Sequence, residues 1–277
     1  MVSDYQSIDL GSGTIRYRDV GAGEPVVFLH GILVNGWIWD DVVSLLEGYR
    51  CILPDLPLGA HELPMTPDAD LSPTGLADLI VEFCDALDLE QVTLVGNDTG
   101  GAICQLVVAT YPERVDQLVL TNCDAYENFL PTQLKPLEYA ARIPGVVMAI
   151  GTLLRFRLLQ RAVVFCVAKR QIDTERMDAS FEPIVRDRGV QRDFRTVILG
   201  VSPKYTLDAA KNFGSFERPV LLVWAPDDPL FGVEYAERLA TAFSNAQLVT
   251  IEDSRTFIQT DRSRALAGKI QKFLEGK

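Results

Sequence analysis

Apolar residues recur along the chain in two alternating patterns. Short continuous runs are typical of strands buried on both faces of a sheet, and they occupy residues 25–30, 91–95, 115–120 and 219–224. Between such runs, as in residues 76–87, apolar positions are three or four residues apart, which places them on one face of a helix. This alternation predicts a mostly parallel sheet with helices on both of its faces.

Weaker signals extend the prediction. Residues 5–10 and 14–20 flank Gly11 and Gly13, which predicts a β-hairpin at the start of the chain. Further strands are predicted at residues 51–55 and 247–251, and further helices at residues 102–111, 234–243 and 263–274.

The middle of the chain departs from this rhythm, because it contains helical apolar runs and few strand signals. We predict that residues 126–216 form a helical cap inserted into a core domain made of residues 1–125 and 217–277. The sequence shows no internal repeat, low-complexity tract or Gly/Ser linker that would separate a second independent domain.

The composition of the chain indicates which binding partners and which cellular compartment to expect. The chain has 277 residues and a formal net charge of −12, which repels phosphate backbones and anionic lipid, so we expect neither nucleic acid nor a membrane as a partner. Its five cysteines are scattered without a CxxC pair, as expected of free thiols in a reducing compartment. Residues 146–154, the most apolar stretch, are too few to span a bilayer. The start lacks a basic segment followed by an apolar one, and we expect a cytoplasmic protein.

One short motif carries the strongest chemical signal. A buried strand ends at Val95 and runs into Gly96-Asn-Asp98-Thr-Gly100, which has the G-x-S-x-G form of a nucleophile elbow with aspartate in place of serine. The turn from strand to helix is tight, so a Cβ at either glycine would clash. It would hold the Asp98 carboxyl near a helix N-terminus, where backbone N–H groups favour an anion.

Two further motifs fit the same architecture. His30-Gly31 closes a buried strand, and Trp224-Ala-Pro-Asp-Asp228-Pro follows a late one. With the elbow, they make the chain resemble the α/β-hydrolase family, in its aspartate-nucleophile branch of haloalkane dehalogenases and epoxide hydrolases. The resemblance implies an α/β-hydrolase fold with Asp228 as the supporting acid, and Asp124, after the strand at 115–120, is the alternative acid.

The resemblance also implies an oxyanion hole at the HG pair. Its donors would be the backbone N–H groups of Ile32 and Thr99, with His30 and Gly31 shaping the turn rather than acting on substrate. In such enzymes the aspartate attacks carbon, and a histidine-activated water then hydrolyses the alkyl ester.

The expected base is missing from its position. The family places a histidine after the last strand, where this chain reads Asp253-Ser-Arg-Thr256-Phe. Thr256 therefore stands where the histidine is expected, and removing a triad histidine from a serine hydrolase costs about a millionfold in turnover. The chain's other histidine, His61, lies in a loop where a packing or surface role is favoured over a substitute base. Thr99 also stands where dehalogenases carry a halide-binding Trp or Arg, so dehalogenation loses support.

These features lead to three hypotheses. The first is an enzyme with Asp98 as general acid/base or as a charge that steers a cation, in epoxide opening, cyclisation, C–C bond formation or lyase chemistry. A tailoring step in natural-product biosynthesis would suit the large cap. The second is a hydrolase of the epoxide or haloalkane type with a substitute base. The third is a binding protein without activity.

A small apolar organic molecule is the expected substrate, because the regions around the elbow are rich in apolar and aromatic residues. The candidate pocket residues are Trp37, Trp39, Tyr126, Phe129, Tyr139 and Phe231. Tyr126, Tyr139 and Tyr205 could protonate an opening epoxide. We predict no cofactor and no metal, and the sequence leaves monomer and homodimer both open.

Overall fold

One eight-stranded sheet organises residues 5–276, the part of the chain that the computed structural model describes. Its order is β1-β2-β4-β3-β5-β6-β7-β8. The strands are β1 (Gln6–Leu10), β2 (Gly13–Gly21), β3 (Glu24–Leu29), β4 (Tyr49–Pro54), β5 (Val92–Asp98), β6 (Val115–Cys123), β7 (Val220–Trp224) and β8 (Ala246–Thr250). The predicted hairpin is confirmed, since β1 pairs antiparallel with β2.

From β4 onward along the sheet, every neighbouring pair is parallel, whereas β2 pairs antiparallel with β4. The carboxyl ends of β3, β5, β6 and β7 therefore meet at one edge of the sheet. In open α/β sheets ligands bind outside this edge. The predicted mostly parallel sheet is confirmed.

The described residues contain twelve α-helices, and each helix expected from the apolar spacing is present. They are α1 (Asp40–Val43), α2 (Pro73–Ala86), α3 (Thr99–Thr110), α4 (Lys135–Arg142), α5 (Val146–Leu153), α6 (Arg157–Val167), α7 (Thr174–Arg186), α8 (Arg188–Gly200), α9 (Pro203–Ala210), α10 (Val233–Ala242), α11 (Ile258–Asp261) and α12 (Ser263–Leu274). The sequence pattern did not predict α1, which follows a 3₁₀ turn at Gly36–Trp39 and is only four residues long.

The two faces of the sheet bury separate apolar clusters. Alternate residues of a strand point to opposite faces, and in β3 Val27 and Leu29 join the cluster of α2 and α3, whereas Val26 and Phe28 join that of α12. Burial on both faces explains why β3 has a continuous apolar run.

Six helices, α4 to α9, lie between β6 and β7, and they interrupt the strand–helix alternation as the sequence predicted. Several of them share a third apolar cluster, which includes Val147 of α5, Phe181 of α7 and Phe194 of α8. This segment is tied to the core by buried polar contacts: the Trp37 indole donates to Ser180 Oγ at 3.0 Å, and His61 Nε2 lies 3.2 Å from Asp193 Oδ2. The division of the chain at 126 and 216 stays a prediction.

All five cysteines are free, and their environments differ. Four are buried, and Cys166 of α6 is exposed. Within residues 5–276, the helices all fall short of the length and apolar character that crossing a membrane requires.

Candidate functional site

Asp98 forms a strained elbow between β5 and α3. Its backbone has φ 55° and ψ −132°, a conformation that costs a non-glycine residue about 1–3 kcal/mol and persists only when the surroundings enforce it. The side chain caps α3, because Oδ1 accepts a hydrogen bond from the Thr99 N–H at 2.6 Å. The carboxyl is almost fully buried at the carboxyl edge of the sheet.

Three glycines make room for this turn. A Cβ at Gly96 would lie 2.7 Å from Cys104 Sγ, and one at Gly100 would lie 2.5 Å from the His30 carbonyl oxygen. Gly31 approaches from β3, and a Cβ there would lie 2.4 Å from Asp98 Cβ and Cγ. The sequence prediction that no Cβ fits beside the elbow is confirmed, and Gly31 extends it to the HG pair.

Thr99 links Asp98 to a second buried carboxyl, Asp124. Thr99 Oγ1 lies 3.2 Å from Asp98 Oδ1 and 3.1 Å from Asp124 Oδ2. A hydroxyl has one proton, so it can donate to only one of the two oxygens. The other contact is a hydrogen bond only if that carboxyl is protonated and donates to Oγ1.

The surroundings of Asp98 and Asp124 favour the protonated form of both carboxyls. Burial, and then the Asp98 carboxyl, raise the pKa of Asp124 well above its usual range. Burial, with a smaller effect of Asp228, raises the pKa of Asp98 to about 7. Because both shifts favour the protonated form, a proton held by either carboxyl can be shared through the Thr99 hydroxyl.

Asp228 follows β7, at the same edge of the sheet as Asp98. Its Oδ1 accepts hydrogen bonds from the Leu230 N–H at 2.9 Å and from Thr256 Oγ1 at 3.0 Å, and its Oδ2 accepts one from Asn122 Nδ2 at 2.7 Å. Burial raises the pKa of Asp228 to about 6 in spite of these donors. The Thr256 side chain is thus a hydrogen-bond donor to Asp228, in a fully buried position.

Three buried amides that the motifs did not single out hold these groups in place. Asn97 Nδ2 donates to the Thr256 carbonyl at 2.8 Å, and Gln105 Nε2 donates to the Asp124 carbonyl at 2.8 Å. Asn122 donates to Asp228 and accepts from the Ala225 N–H at 2.7 Å. Position in the sequence could have pointed to two of them, because Asn97 directly precedes Asp98 and Asn122 lies near the end of β6.

Both histidines of the chain have other partners. His30 Nε2 accepts from the Leu56 N–H at 2.8 Å, so Nδ1 carries the proton and donates to the Gly31 carbonyl, also at 2.8 Å. Burial lowers the pKa of His30 to about 4. His61 is buried, not at the surface, and faces Asp193 of α8. Its Nδ1 accepts from the Gly59 N–H at 3.4 Å, and this leaves neither ring nitrogen directed at Asp98.

The two expected oxyanion-hole donors, the backbone N–H groups of Thr99 and Ile32, have different surroundings. The Thr99 N–H is occupied by the Asp98 carboxyl itself, and Ile32 is half-buried in the turn after Gly31. An aspartate that places one oxygen on this amide leaves its other oxygen, Oδ2, for chemistry with a substrate.

The predicted pocket aromatics separate into several environments. Trp39 is fully buried against Phe28 in the cluster of α12, and Phe231 is fully buried in the core cluster of α2 and α3. Tyr139 is 62% exposed on α4, with the Arg142 guanidinium over its ring. These three therefore lie in different environments, and their part in a pocket stays a prediction.

Two of the remaining pocket candidates, Trp37 and Tyr126, contact helices that lie between β6 and β7. Trp37 reaches Ser180 of α7. The Tyr126 carbonyl accepts from Thr206 Oγ1 of α9 at 2.5 Å, and Phe129 is buried close to Tyr126 in the chain. Among residues 5–276, no group of three or more His, Cys, Asp or Glu side chains is arranged to hold a metal ion.

Known proteins resemble the chain over nearly its whole length. Residues 24–263 match the family profile described as alpha/beta hydrolase fold. A cis-3-alkyl-4-alkyloxetan-2-one decarboxylase of Shewanella oneidensis is 28% identical over 94% of this chain and 85% of its own. Haloalkane dehalogenase 2 of Mycobacterium bovis is 27% identical over 95% of this chain and 92% of its own.

Solved structures agree on the architecture. The crystal structure of haloalkane dehalogenase DbeA from Bradyrhizobium elkani superposes with a TM-score of 0.82 at 21% identity, and the match covers 99% of this chain and 98% of that one. At this level of identity the likeness concerns the fold alone.

Proposed function

Since the chain belongs to the alpha/beta hydrolase fold family, we propose that it is an enzyme in which the Asp98 carboxyl is a general acid and base. Its substrate would be a bulky apolar metabolite, and its reaction one that needs no activated water. The position of the Thr99 hydroxyl, within hydrogen-bond distance of both the Asp98 and the Asp124 carboxyl, is the observation that carries the proposal.

The pKa of Asp98 suits this role. A general acid/base works best when its pKa is near the operating pH, and burial raises that of Asp98 to about 7. Asp98 can give a proton to a developing substrate oxygen and regain it from a neighbouring carbon, with Asp124 as a buried donor behind it. The proton count of the site is unchanged over such a cycle.

The surroundings of Asp98 argue against water activation. We infer that Thr256 replaces the histidine base of the family. Its hydroxyl donates to Asp228. It stays protonated at neutral pH, because its pKa is far too high, and so it cannot take a proton from water. His30 and His61 are held by other groups. An ester formed on Asp98 would therefore have no side chain to activate its hydrolysis. Epoxide opening, cyclisation, C–C bond formation and lyase reactions avoid this step.

The relatives supply the probes. One relative's name describes the decarboxylation of an alkyl oxetan-2-one, so this class of strained lactone joins alkyl epoxides in a test panel. The panel is incubated with the protein in ¹⁸O-water, and the organic products are identified by mass spectrometry. We expect turnover of a strained ring without ¹⁸O in the organic product.

Asp98→Asn keeps the shape of the side chain and removes its acid/base function. It should lower turnover by about a hundredfold to ten-thousandfold, the usual contribution of a general acid/base. Asp68→Asn, at an exposed carboxyl, is the matched control and should leave turnover unchanged. Undiminished turnover in Asp98→Asn would refute the proposal.

A hydrolase of the haloalkane dehalogenase type is the second candidate. The likeness to haloalkane dehalogenase 2 favours it, and so does Asp98 itself, since one carboxyl oxygen rests on the Thr99 N–H and the other is left to attack carbon. Haloalkanes are therefore included in the panel. Appearance of ¹⁸O in the organic product, with halide release, would replace the first proposal by this one.

A further inference from the structure

The cap helices expose apolar side chains in an uneven way. Among the described residues, fourteen large apolar side chains are exposed, and nine of them lie between positions 139 and 165. They are Tyr139, Ile143, Met148, Leu153, Phe156, Leu158, Leu159, Val163 and Phe165. Scattered exposed apolar residues are ordinary on a soluble protein, but a concentration of this kind marks an interaction surface.

Helix α6 is the extreme case. Gln160 is its only fully buried residue, whereas Leu158 and Phe165 are 79% and 70% exposed. Leu158, Ala162 and Phe165 are spaced four and three residues apart, which places them on one face of the helix. Leu153 and Phe156 extend the exposed apolar surface through the turn before α6. We call residues 153–165 the α6 segment.

Charge is segregated in the same region. Residues 139–172 contain six basic residues and no acidic one. Because the whole chain carries −12, the other residues together carry −18. Within the α6 segment, Arg157 pairs with Asp178 of α7, whereas Arg155 and Arg161 form no ion pair with any residue from 5 to 276. Exposed leucine and phenylalanine thus alternate with arginines, of which only Arg157 forms an ion pair within residues 5–276.

We propose that the α6 segment binds the surface of an anionic lipid bilayer. An interfacial helix places its apolar side chains at the boundary of headgroups and acyl chains, and its arginines meet lipid phosphates. No helix needs to cross the bilayer for this. The net charge of −12, from which we expected no membrane partner, conceals a local region of opposite sign.

The same charges disfavour a second copy of the chain as the occupant. A two-fold interface brings identical patches together, so the cluster of Arg155, Arg157 and Arg161 would lie close to the same basic cluster of the second copy. An anionic surface has the opposite effect, because it attracts all three. The proposal does not depend on the reaction at Asp98, since lipid binding is measured without turnover.

Vesicle flotation tests the proposal directly. The full chain is mixed with vesicles of phosphatidylcholine alone or with an equal share of phosphatidylglycerol. We expect it to float with the anionic vesicles and to partition at least about tenfold more weakly onto the neutral ones. Raising the salt concentration should weaken the binding, because it screens exposed charges.

Variants locate the surface. Leu158→Glu/Phe165→Glu should reduce binding at least about tenfold, since it removes two apolar anchors and adds two repelled charges. Arg155→Gln/Arg161→Gln should reduce it about thirtyfold, at about 1 kcal/mol per basic residue near an anionic surface. Leu45→Glu/Leu207→Glu changes two exposed leucines elsewhere, each 41% exposed, and should bind like the unmodified chain.

Equal thermal melting temperatures of the variants and the unmodified chain would show that folding is not the cause of lost binding. The proposal is overturned if the unmodified chain binds neither kind of vesicle. It is also overturned if Leu158→Glu/Phe165→Glu binds anionic vesicles as strongly as the unmodified chain does. A dimer in light scattering that becomes a monomer in this variant, without vesicle binding by either, would instead assign the α6 segment to a second copy.

Discussion

Folded proteins usually bury apolar side chains and expose charged ones. The elbow region departs from this rule by burying carboxyls, and the α6 segment departs from it by exposing apolar side chains. Around Asp98, three carboxyls are buried, where charged groups are rare unless they are paired. In the α6 segment, leucine and phenylalanine side chains are exposed beside arginines. In the first region the cost is offset by hydrogen bonds and by bound protons. In the second region most of the apolar surface faces solvent, although the Arg255 guanidinium lies 5.0 Å from the centroid of the Phe165 ring.

The comparison teaches where to look for function in each region. Buried carboxyls with raised pKa values indicate chemistry that moves protons, and this chemistry is internal to the fold. Exposed apolar residues indicate a surface that is completed from outside. Substitutions in the elbow should therefore change stability and turnover together, whereas substitutions in the α6 segment should change only what the protein binds.

Gly31→Ala should have the largest effect in the elbow. The new Cβ would lie 2.4 Å from Asp98 Cβ and Cγ, so the carboxyl or the β3 turn must move. We expect a loss of about 3 kcal/mol in the free energy of unfolding, as for an overpacked core, and loss of measurable turnover. Urea unfolding and the substrate panel measure the two effects.

Gly268→Ala is the matched control for that substitution. Gly268 lies within α12, and a Cβ there would meet nothing within 4 Å. Alanine should stabilise the helix by about 0.5–1 kcal/mol. Should Gly31→Ala prove as harmless as Gly268→Ala, the close approach of Gly31 to Asp98 would have no functional meaning.

Thr99→Val should have the next largest effect. It removes the hydroxyl between Asp124 and Asp98 and keeps the backbone N–H that holds Asp98 Oδ1. We expect turnover to fall about tenfold to a hundredfold and the pH profile of turnover to change, since Asp98 loses its proton donor. Thr99→Ser restores the hydroxyl and should restore both. A purely structural role of Thr99 would lower stability and leave the pH profile as it was.

The pH dependence of stability should show the most gradual effect, because it follows the titration of buried carboxyls. The pKa values of Asp98 and Asp228 are raised from 3.8 to about 7 and about 6, so the folded protein holds protons that the unfolded chain has lost. Stability is therefore greatest below about pH 4 with respect to these two groups and falls as pH rises towards 7.

Two variants separate this effect from the rest of the molecule. Asp98→Asn should flatten the fall between pH 4 and pH 7, because the amide does not titrate. Leu158→Gln, in the α6 segment, should leave the shape of the curve unchanged. A curve for Asp98→Asn that runs parallel to that of the unmodified chain would mean that Asp98 is ionised across this range. Chemical denaturation at a series of pH values provides the measurement.

The fold and the elbow could be predicted because their signals are local. A continuous apolar run indicates a buried strand, and two glycines that flank an aspartate at the end of such a run define the turn. The cap was visible as an interruption of the same rhythm. These patterns depend on neighbouring residues, so a single sequence contains all that is needed to recognise them.

The rest of the site depends on contacts between distant parts of the chain. Asn97 meets Thr256, and His61 meets Asp193, over separations of 159 and 132 residues. No spacing rule predicts such pairs. The double contact of Thr99 was hidden for the same reason, because Asp124 reaches it from the end of β6. The acid-free run at 139–172 was visible in the sequence, but a net charge averages over the whole chain and removes it.

Cys166 makes the α6 segment accessible to spectroscopy. Its thiol is exposed on α6, whereas those of Cys51, Cys84, Cys104 and Cys123 are buried with raised pKa values, so that few thiolates are available there. A maleimide fluorophore should therefore attach at Cys166 in the unmodified chain, without an engineered cysteine. Its emission would report the polarity around α6, and a dye immersed in acyl chains emits at shorter wavelength than one in water.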